Sequence, residues 1–591
     1  MKTDEAIRNI YAEREKFIII GLTGRTGAGC TTVSNILGAE EFSKLNLREP
    51  KTTDFEKNEQ RKYQIVYNYI KQHWNPFFRI SMTDIIFSFI IQAKYDELFK
   101  ELVSIVGKDS SDKIKSELED QNKNIASDYS ELNKQITSLY SDNEDLDRTN
   151  QVGLKLAYEM ITNLSNLQNQ FRDVMNNNIC FVENEKEKKI PVSTFAHCLQ
   201  EFGNRIRSHG NIFSNNEFSG KHMFAIAKRA NDFIKAVQAH NKEKSNPTFI
   251  CLDAIRNPYE ATFFQDRYSS FYLVAVSTDD EERVKRLGEK LSREQIKALD
   301  NKEYPKKLKD DKKFTNQDIG ACVQLADIYL YNPYEPTKEK YFVTESVIKY
   351  ITLIKHPGLI TPTSVERCMQ IAYNAKLNSG CLSRQVGAVI TDSHFSIKAV
   401  GWNSVAEGQV PCNLRNAENY LINKDRDSFS TFEIEDKEFV EHMHKKYKDR
   451  INLPTLKGRL CSYCFKDEYE EITGQKNQVH TRSLHAEENA FLQIVKYGGE
   501  GIQGGKLFTS ASSCVLCSKK AFQLGIRDIY YIDPYPDIAT SHILSFGKDK
   551  SQCPQCHLFY GAIGRAYTCL YTQRIAIKDE LSCLYQSSDI T

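Results

Sequence analysis

His485-Ala486-Glu487-Glu488-Asn489-Ala490 and, further along, Ser513-Cys514-Val515-Leu516-Cys517 decide how this chain is read. One imidazole and two thiolates fill three tetrahedral positions around Zn²⁺ and leave a fourth for water, as catalytic zinc sites do. The metal lowers the pKa of that water towards neutrality. Glu487 is not required as a ligand, so it can take the water's proton and pass it to a ring nitrogen and a leaving amine. Each half alone is weak, because CxxC pairs are common, but together they are specific. The alternative is a plain zinc finger with Glu487 on the surface. Glu487 is therefore the expected catalytic acid–base, with His485, Cys514 and Cys517 as the expected metal ligands.

The surroundings suit such a site. Residues 505–510 (GKLFTS) read as a short strand, and the CxxC is followed by a helical run over 518–524 that Gly525 ends. His485 likewise opens a helical run over 486–497. Both halves of the motif then sit at helix starts, where the dipole favours negative charge on the thiolates. Upstream, 386–391 and 397–402 read as a hairpin of strands, and 364–377 as a helix. Strands then alternate with helices to about 532. The predicted domain is a three-layer α/β/α sandwich around a mixed sheet.

At 591 residues the chain is too long for one core. A net charge of +1 gives no global pull towards nucleic acid or anionic lipid. No apolar run reaches the roughly 18 residues of a membrane span, and the charged start MKTDE lacks a signal-peptide core. A cytoplasmic protein without membrane contact is expected. Its 16 Cys are then free thiols or metal ligands rather than disulfides.

The N-terminal part carries a second pattern. Residues 17–23 (FIIIGLT) are strand-like. Gly24-Arg25-Thr26-Gly27-Ala28-Gly29-Cys30-Thr31 follows and leads into a helix. Strand, glycine loop and helix form the layout of a phosphate-binding loop, matching GxxxxGK[ST] except that Cys30 stands where lysine belongs. A thiol cannot supply the cation that reaches the β- and γ-phosphates, so binding is expected without phosphoryl transfer. A second apolar strand, 248–252, ends at Asp253, which is placed to hold Mg²⁺. Arg283 and Arg286 lie on a charged helix and either face solvent or reach a phosphate. The order resembles a nucleoside-monophosphate-kinase type α/β domain. Its helical insertion spans about 95–245. Within that insertion Ile125, Tyr129, Leu132, Ile136 and Leu139 recur in alternating steps of four and three. This seam packs against a neighbouring helix or forms an oligomer contact; a homo-oligomer is expected. Residues 356–363 (HPGLITPT) punctuate the chain, giving domains of 1–355 and 361–591.

With Ser383-Arg384-Gln385-Val386-Gly387-Ala388 and Gly401-Trp402-Asn403 added to the HAExNA of 485–490, residues from about 361 to 545 resemble the deoxycytidylate deaminase branch of the cytidine deaminases. The resemblance implies that Asn403 hydrogen-bonds a deoxyribose, that the Ala486 backbone meets the base, and that Tyr535 lies near the nucleotide. One departure is Ser513, where the family usually has proline before the CxxC. Proline suits a first helical turn but is not chemically required. The fusion of such a domain to a lysine-less glycine loop is similar to the bacterial anti-phage dCTP deaminases. This implies deamination of free dCTP and dCMP that starves viral DNA synthesis, and inhibition by a small RNA. The glycine loop would then hold a regulatory nucleoside triphosphate. A dCMP deaminase supplying thymidylate and a nucleotide-sensing ATPase are the alternatives. A polynucleotide deaminase fits less well, since no basic, aromatic groove is evident.

Cys461-Ser462-Tyr463-Cys464 and Cys553-Pro554-Gln555-Cys556 are two further CxxC pairs. The first lies in a segment of about 404–480 inserted before His485, the second beyond the last expected strand. Such pairs read as structural zinc, so all four cysteines are predicted to share one ion, with His480 or His557 as alternative ligands.

Overall fold

A computed structural model describes residues 2–588 apart from 52–56, 123, 141–145, 147–150, 184–188, 215–216, 289–290, 306–307, 309, 334–341, 424, 499–500, 533–538 and 548. The chain divides into two compact units, one of 1–361 with 565–591 and one of 362–564. The sequence reading keeps 565–591 with the C-terminal domain; here it belongs to the first unit. Packing explains this. Helix Ile577–Ser588 lies against helix Lys2–Lys16, and Glu580 accepts hydrogen bonds from Tyr11 Oη (3.2 Å) and His356 Nε2 (2.8 Å). Among the described residues no helix is long and apolar enough to cross a membrane.

The first unit is built on parallel strands β1 (Phe17–Thr23), β2 (Phe78–Ser81), β3 (Thr248–Asp253), β4 (Phe271–Ser277) and β5 (Ile328–Tyr331), in the order β5-β4-β1-β3-β2. β1, β3 and β4 are buried along almost their whole length. That is why they read as unbroken apolar runs rather than alternating ones. β2 and β5 escape the sequence reading because each has only four residues. The loop after β1 runs into helix α1 (Cys30–Leu37), next to the end of β3 at Asp253. The seam of the insertion is consumed inside the chain. Ile125, Tyr129, Leu132 and Ile136 are buried, and Tyr129 Oη donates to the Ile90 carbonyl (2.7 Å).

The second unit holds a mixed sheet of β6 (Gly387–Thr391), β7 (Ile397–Trp402), β8 (Lys506–Thr509), β9 (Asp528–Tyr531) and β10 (Gln555–Leu558), in the order β10-β9-β8-β6-β7. β6 is antiparallel to both neighbours, while β8, β9 and β10 run parallel. Two glycines show that helices cover both faces. Gly387 pairs with Trp402 and Ala388 with Gly401, so Gly387 and Gly401 point to opposite faces. A Cβ on Gly387 would lie 2.0 Å from the Ala372 carbonyl of helix α2 (Ser364–Ala375). A Cβ on Gly401 would lie 2.4 Å from the Ala486 carbonyl, at the start of helix α3 (Ala486–Tyr497). Each helix approaches its face where the strand has no side chain. The core on the α3 face of the sheet holds Ala388, Ile390, Ala486, Ala490, Leu507 and Ile529. The expectation that the second CxxC pair lies past the last strand is corrected: Cys556 sits within β10.

Candidate active site

His485 is the residue before α3 and keeps an extended backbone (φ −71°, ψ 156°), so its imidazole projects from the helix start. Cys514 holds the same position before helix α4 (Val515–Gln523), and Cys517 lies in that helix's first turn. Lys520 and Glu488 form an ion pair that ties α4 to α3. Asn489 Nδ2 donates to the Trp402 carbonyl (3.0 Å), fixing α3 on β7.

These elements bring the three ligand residues together. His485 Nδ1 is 3.3 Å from Cys514 Sγ and 3.5 Å from Cys517 Sγ, and all three donor atoms lie within 4.8 Å of one another. Zinc bonds of about 2.3 Å to sulfur and 2.0–2.1 Å to nitrogen, set at tetrahedral angles, hold S and N about 3.5 Å apart. The residues present therefore fit zinc. The Cys514 thiol is pulled down to about 4, first by its hydrogen bond with Cys517, whose own pKa rises through the same contact. His485 is raised, chiefly by its hydrogen bond to Cys514. A thiolate held beside a second thiol and an imidazole is a donor set that a divalent cation would bind.

Glu487 is 4% exposed. Its Oε1 accepts from Thr509 Oγ1 (3.4 Å) and Ser513 Oγ (3.3 Å). Burial pushes its pKa above the usual carboxylate range, towards the region where a proton carrier works best. Sequence reasoning missed both hydroxyl donors. In the sequence Ser513 stands out only as a departure from proline, yet its hydroxyl is what proline could not provide. Ser513→Ala is expected to lower kcat roughly fivefold, the loss of a hydrogen bond of about 1 kcal/mol. Zinc content should not change, and steady-state kinetics beside metal analysis would check both.

Comparison with known proteins points to the same part of the chain. The family model "Cytidine and deoxycytidylate deaminase zinc-binding region" matches residues 362–533. Residues 362–533 form a cytidine and deoxycytidylate deaminase domain. The protein is accordingly a deaminase, a hydrolytic enzyme. Deoxycytidylate deaminase of Enterobacteria phage T2 is 29% identical over 28% of this chain and 78% of its own length. That of phage T4 is 28% identical over 28% of this chain and 76% of its own. The crystal structure of the cyanophage S-TIM5 dCMP deaminase with dCMP and dUMP is 21% identical and covers 34% of this chain and 99% of its own, with a TM-score of 0.21.

Other expected residues of the deaminase domain fall differently. Asn403 is buried, and its amide is engaged by the chain: Oδ1 accepts from the Val386 N–H and Nδ2 donates to the Arg384 carbonyl, both at 2.7 Å. As it stands it shapes the 384–386 loop. Ala486 is buried between α3 and β7. Tyr535 lies outside the described residues. The shared site expected of Cys461, Cys464, Cys553 and Cys556 does not form; the four do not appear among the metal-ligating groups of the described residues. Cys461 packs on the aromatic cluster of the inserted segment, around Tyr420, Phe439 and Tyr463, whereas Cys556 packs on the core of the main sheet. Neither His480 nor His557 joins such a group, and His557 Nε2 instead meets Asp528 Oδ1 (2.9 Å).

In the first unit the glycine loop is closed on itself. Gly29 has φ +110°, and Asn332 Nδ2, 1.9 Å from where its Cβ would stand, donates to the Ala28 carbonyl. Glu303 is fully buried and fills the anion position: it accepts from the Thr26 N–H (3.0 Å), the Thr26 hydroxyl and Arg256 Nη1 (2.5 Å). Arg283 is buried and Arg286 half-buried, and neither stands free for phosphate. Arg283 Nη1 donates to the Thr26 carbonyl (3.3 Å) and Arg286 Nη1 to the Gly27 carbonyl (3.3 Å), because the loop's carbonyls need donors. Arg25 pairs with Asp280 (2.5 Å) and Asp300 (3.0 Å). Asp253 pairs with Arg79 (2.5 Å), so its carboxylate already has a cationic partner. Burial raises the Cys30 thiol to about 12 and keeps it neutral.

Proposed function

We propose that the protein deaminates free cytosine deoxynucleotides, dCMP and dCTP, to the uracil forms, and that loss of dCTP serves antiviral defence. The observation that carries the reading is the convergence of His485, Cys514 and Cys517 beside buried Glu487. His485, Cys514 and Cys517 would hold zinc, which when bound supplies a Lewis acid that makes water reactive at neutral pH. Glu487 moves the proton. It takes one from the attacking water, delivers it to N3 of the ring, and then serves the amino group as it leaves as ammonia. Water is consumed, the C4–N bond breaks and a C4 carbonyl forms. Thr509 and Ser513 hold Oε1 in place through these transfers. The two phage deoxycytidylate deaminases support a deoxycytidine nucleotide as substrate. The defence role rests on the resemblance of the fused architecture.

The test is incubation with dCMP, dCDP, dCTP, CTP and dAMP, with products read by mass. Conversion of both dCMP and dCTP is expected. Conversion of dCMP alone would favour thymidylate supply instead, and conversion of no cytosine nucleotide overturns the reading.

A second reading concerns the glycine loop, where a nucleoside triphosphate with Mg²⁺ at Asp253 would act as regulator. Such a nucleotide would have to take the Thr26 N–H and hydroxyl from Glu303 and its Mg²⁺ would have to displace Arg79 from Asp253. Coupling between two such sites is typically about 5–150-fold. A side chain at Gly29 would collide with Asn332 at a backbone angle that only glycine adopts freely. Gly29→Val is therefore expected to abolish any effect of added ATP on deaminase rate while zinc content stays the same. An unchanged response would sink the regulatory role.

A further inference from the structure

One helix of the first unit takes the donors that surround the start of the glycine loop. Helix Arg293–Glu303 presents Asp300 and Glu303, three residues apart and so on one face. Glu303 has no exposed surface, and both of its oxygens are used. Oε2 accepts from the Thr26 N–H (3.0 Å), and Oε1 accepts from the Thr26 hydroxyl and from Arg256 Nη1 (2.5 Å). Arg256 Nη2 in turn donates to Thr26 Oγ1 (3.1 Å). Asp300 Oδ2 lies 3.0 Å from Arg25 Nη2 and 2.7 Å from Arg283 Nη2. The guanidinium groups of Arg25, Arg256 and Arg283, a hydroxyl and a backbone N–H thus converge on two carboxylates of one helix.

Backbone N–H, hydroxyl and arginine acting together are the donors that recognise phosphoryl oxygens. A contact that only braced the helix would need the arginines; here the Thr26 N–H of the glycine loop is committed as well. The carboxylates fill the place incompletely. Asp300 Oδ1 and Arg25 Nε are shielded from solvent with no hydrogen-bond partner. Buried polar groups left unmet cost stability. A phosphoryl group brings three acceptor oxygens where a carboxylate brings two.

We propose that helix Arg293–Glu303 is a built-in occupant of the glycine loop, its two carboxylates standing where linked phosphoryl groups would lie, so that a polyphosphate binds only by expelling it. This rests on the reading of Gly24–Thr31 as a phosphate loop. The resting chain is closed to polyphosphate, and entry of one is coupled to movement of the helix. Two carboxylates on one helix call for an anion whose phosphoryl groups are linked. Inorganic phosphate replaces one of them and leaves the other in place.

The test is calorimetric titration of the full chain with inorganic tripolyphosphate and, separately, with inorganic phosphate. Asp300→Asn combined with Glu303→Gln keeps the side-chain shapes and removes the competing charges. Tripolyphosphate is expected to bind this double variant at least about tenfold more tightly than the wild type, because a site that is rarely open has its apparent affinity lowered by the open fraction. Inorganic phosphate should show no such difference. Hydrogen exchange on the wild type is the second measure: with tripolyphosphate added, amides of 293–303 should exchange faster and those of 24–31 more slowly. Equal affinity of wild type and double variant overturns the proposal, as does no binding by the double variant. Should the double variant fail to fold by thermal melting, exchange decides: unchanged or slower exchange in 293–303 overturns it. A wild type that binds ATP tightly while 293–303 stays protected keeps the regulatory reading and removes the occupant. A double variant that takes tripolyphosphate while ATP leaves the deaminase rate unchanged does the reverse.

Discussion

Glu487→Ala removes nearly all turnover while zinc content and melting temperature stay near those of the wild type. Losing a positioned proton carrier typically costs about 10²–10⁴-fold. The loss here falls at the upper end, because the same carboxylate serves the water, the ring nitrogen and the departing amine. Metal retention follows from the geometry: the three donor atoms come from His485, Cys514 and Cys517, and Glu487 is not among them. The fold tolerates the change because the partners it strands, the Thr509 and Ser513 hydroxyls, sit at 3.4 and 3.3 Å. These are weak contacts, and hydroxyl groups can rotate to other acceptors. Steady-state rates on dCMP beside metal analysis would settle it. Activity within a few-fold of wild type would remove Glu487 from the mechanism.

The His485–Cys514–Cys517 cluster was legible because its chemistry is local at each end. His485 with Glu487, and Cys514 with Cys517, each sit within one helical turn, so residue type and spacing carry the geometry. The sheet strands were legible where they are long and buried, as in β1 and β3, and lost where four residues give no period, as in β2. What failed was long-range. Four cysteines in two CxxC pairs look alike in sequence, yet Cys461 packs on an aromatic cluster and Cys556 lies on a β-strand. Nothing in the local pattern says that they do not meet. The same holds for Glu303, whose place on the Thr26 N–H depends on a helix that starts at Arg293 and is far from the loop in sequence. It holds again for Arg283 and Arg286, which brace loop carbonyls. A charged helix face reads as solvated until the partner that buries it is known. Ser513 was visible but misjudged, because its meaning lies in a contact with Glu487 rather than in helix geometry.

Glu433→Ala destabilises the segment inserted ahead of His485 by about 3–5 kcal/mol, the usual cost of leaving a buried charge without its partner. Arg415 has no exposed surface and Glu433 about 1%. Arg415 Nη2 is hydrogen-bonded to Glu433 Oε1 and to the Tyr463 hydroxyl (3.1 Å). Its Nε and Nη1 have no hydrogen-bond partner; the guanidinium stacks instead over Phe429 (4.6 Å to the ring centre) and Tyr463 (5.0 Å). Its charge therefore depends on Glu433. That carboxylate has two further duties: it accepts from Tyr463 Oη (2.9 Å) and from the Ser430 N–H (2.9 Å), closing the cap of helix Thr431–Glu435. Alanine removes the counter-charge, the tyrosine acceptor and the carboxylate half of the cap together. Arg415→Met in the same chain should recover much of the loss, since a neutral side chain of similar length needs no counter-charge. Thermal melts of the single and double variants measure this directly. A double variant as unstable as Glu433→Ala alone would show that the buried charge is not the cause, and that the cap and the tyrosine hydrogen bond carry the stability instead.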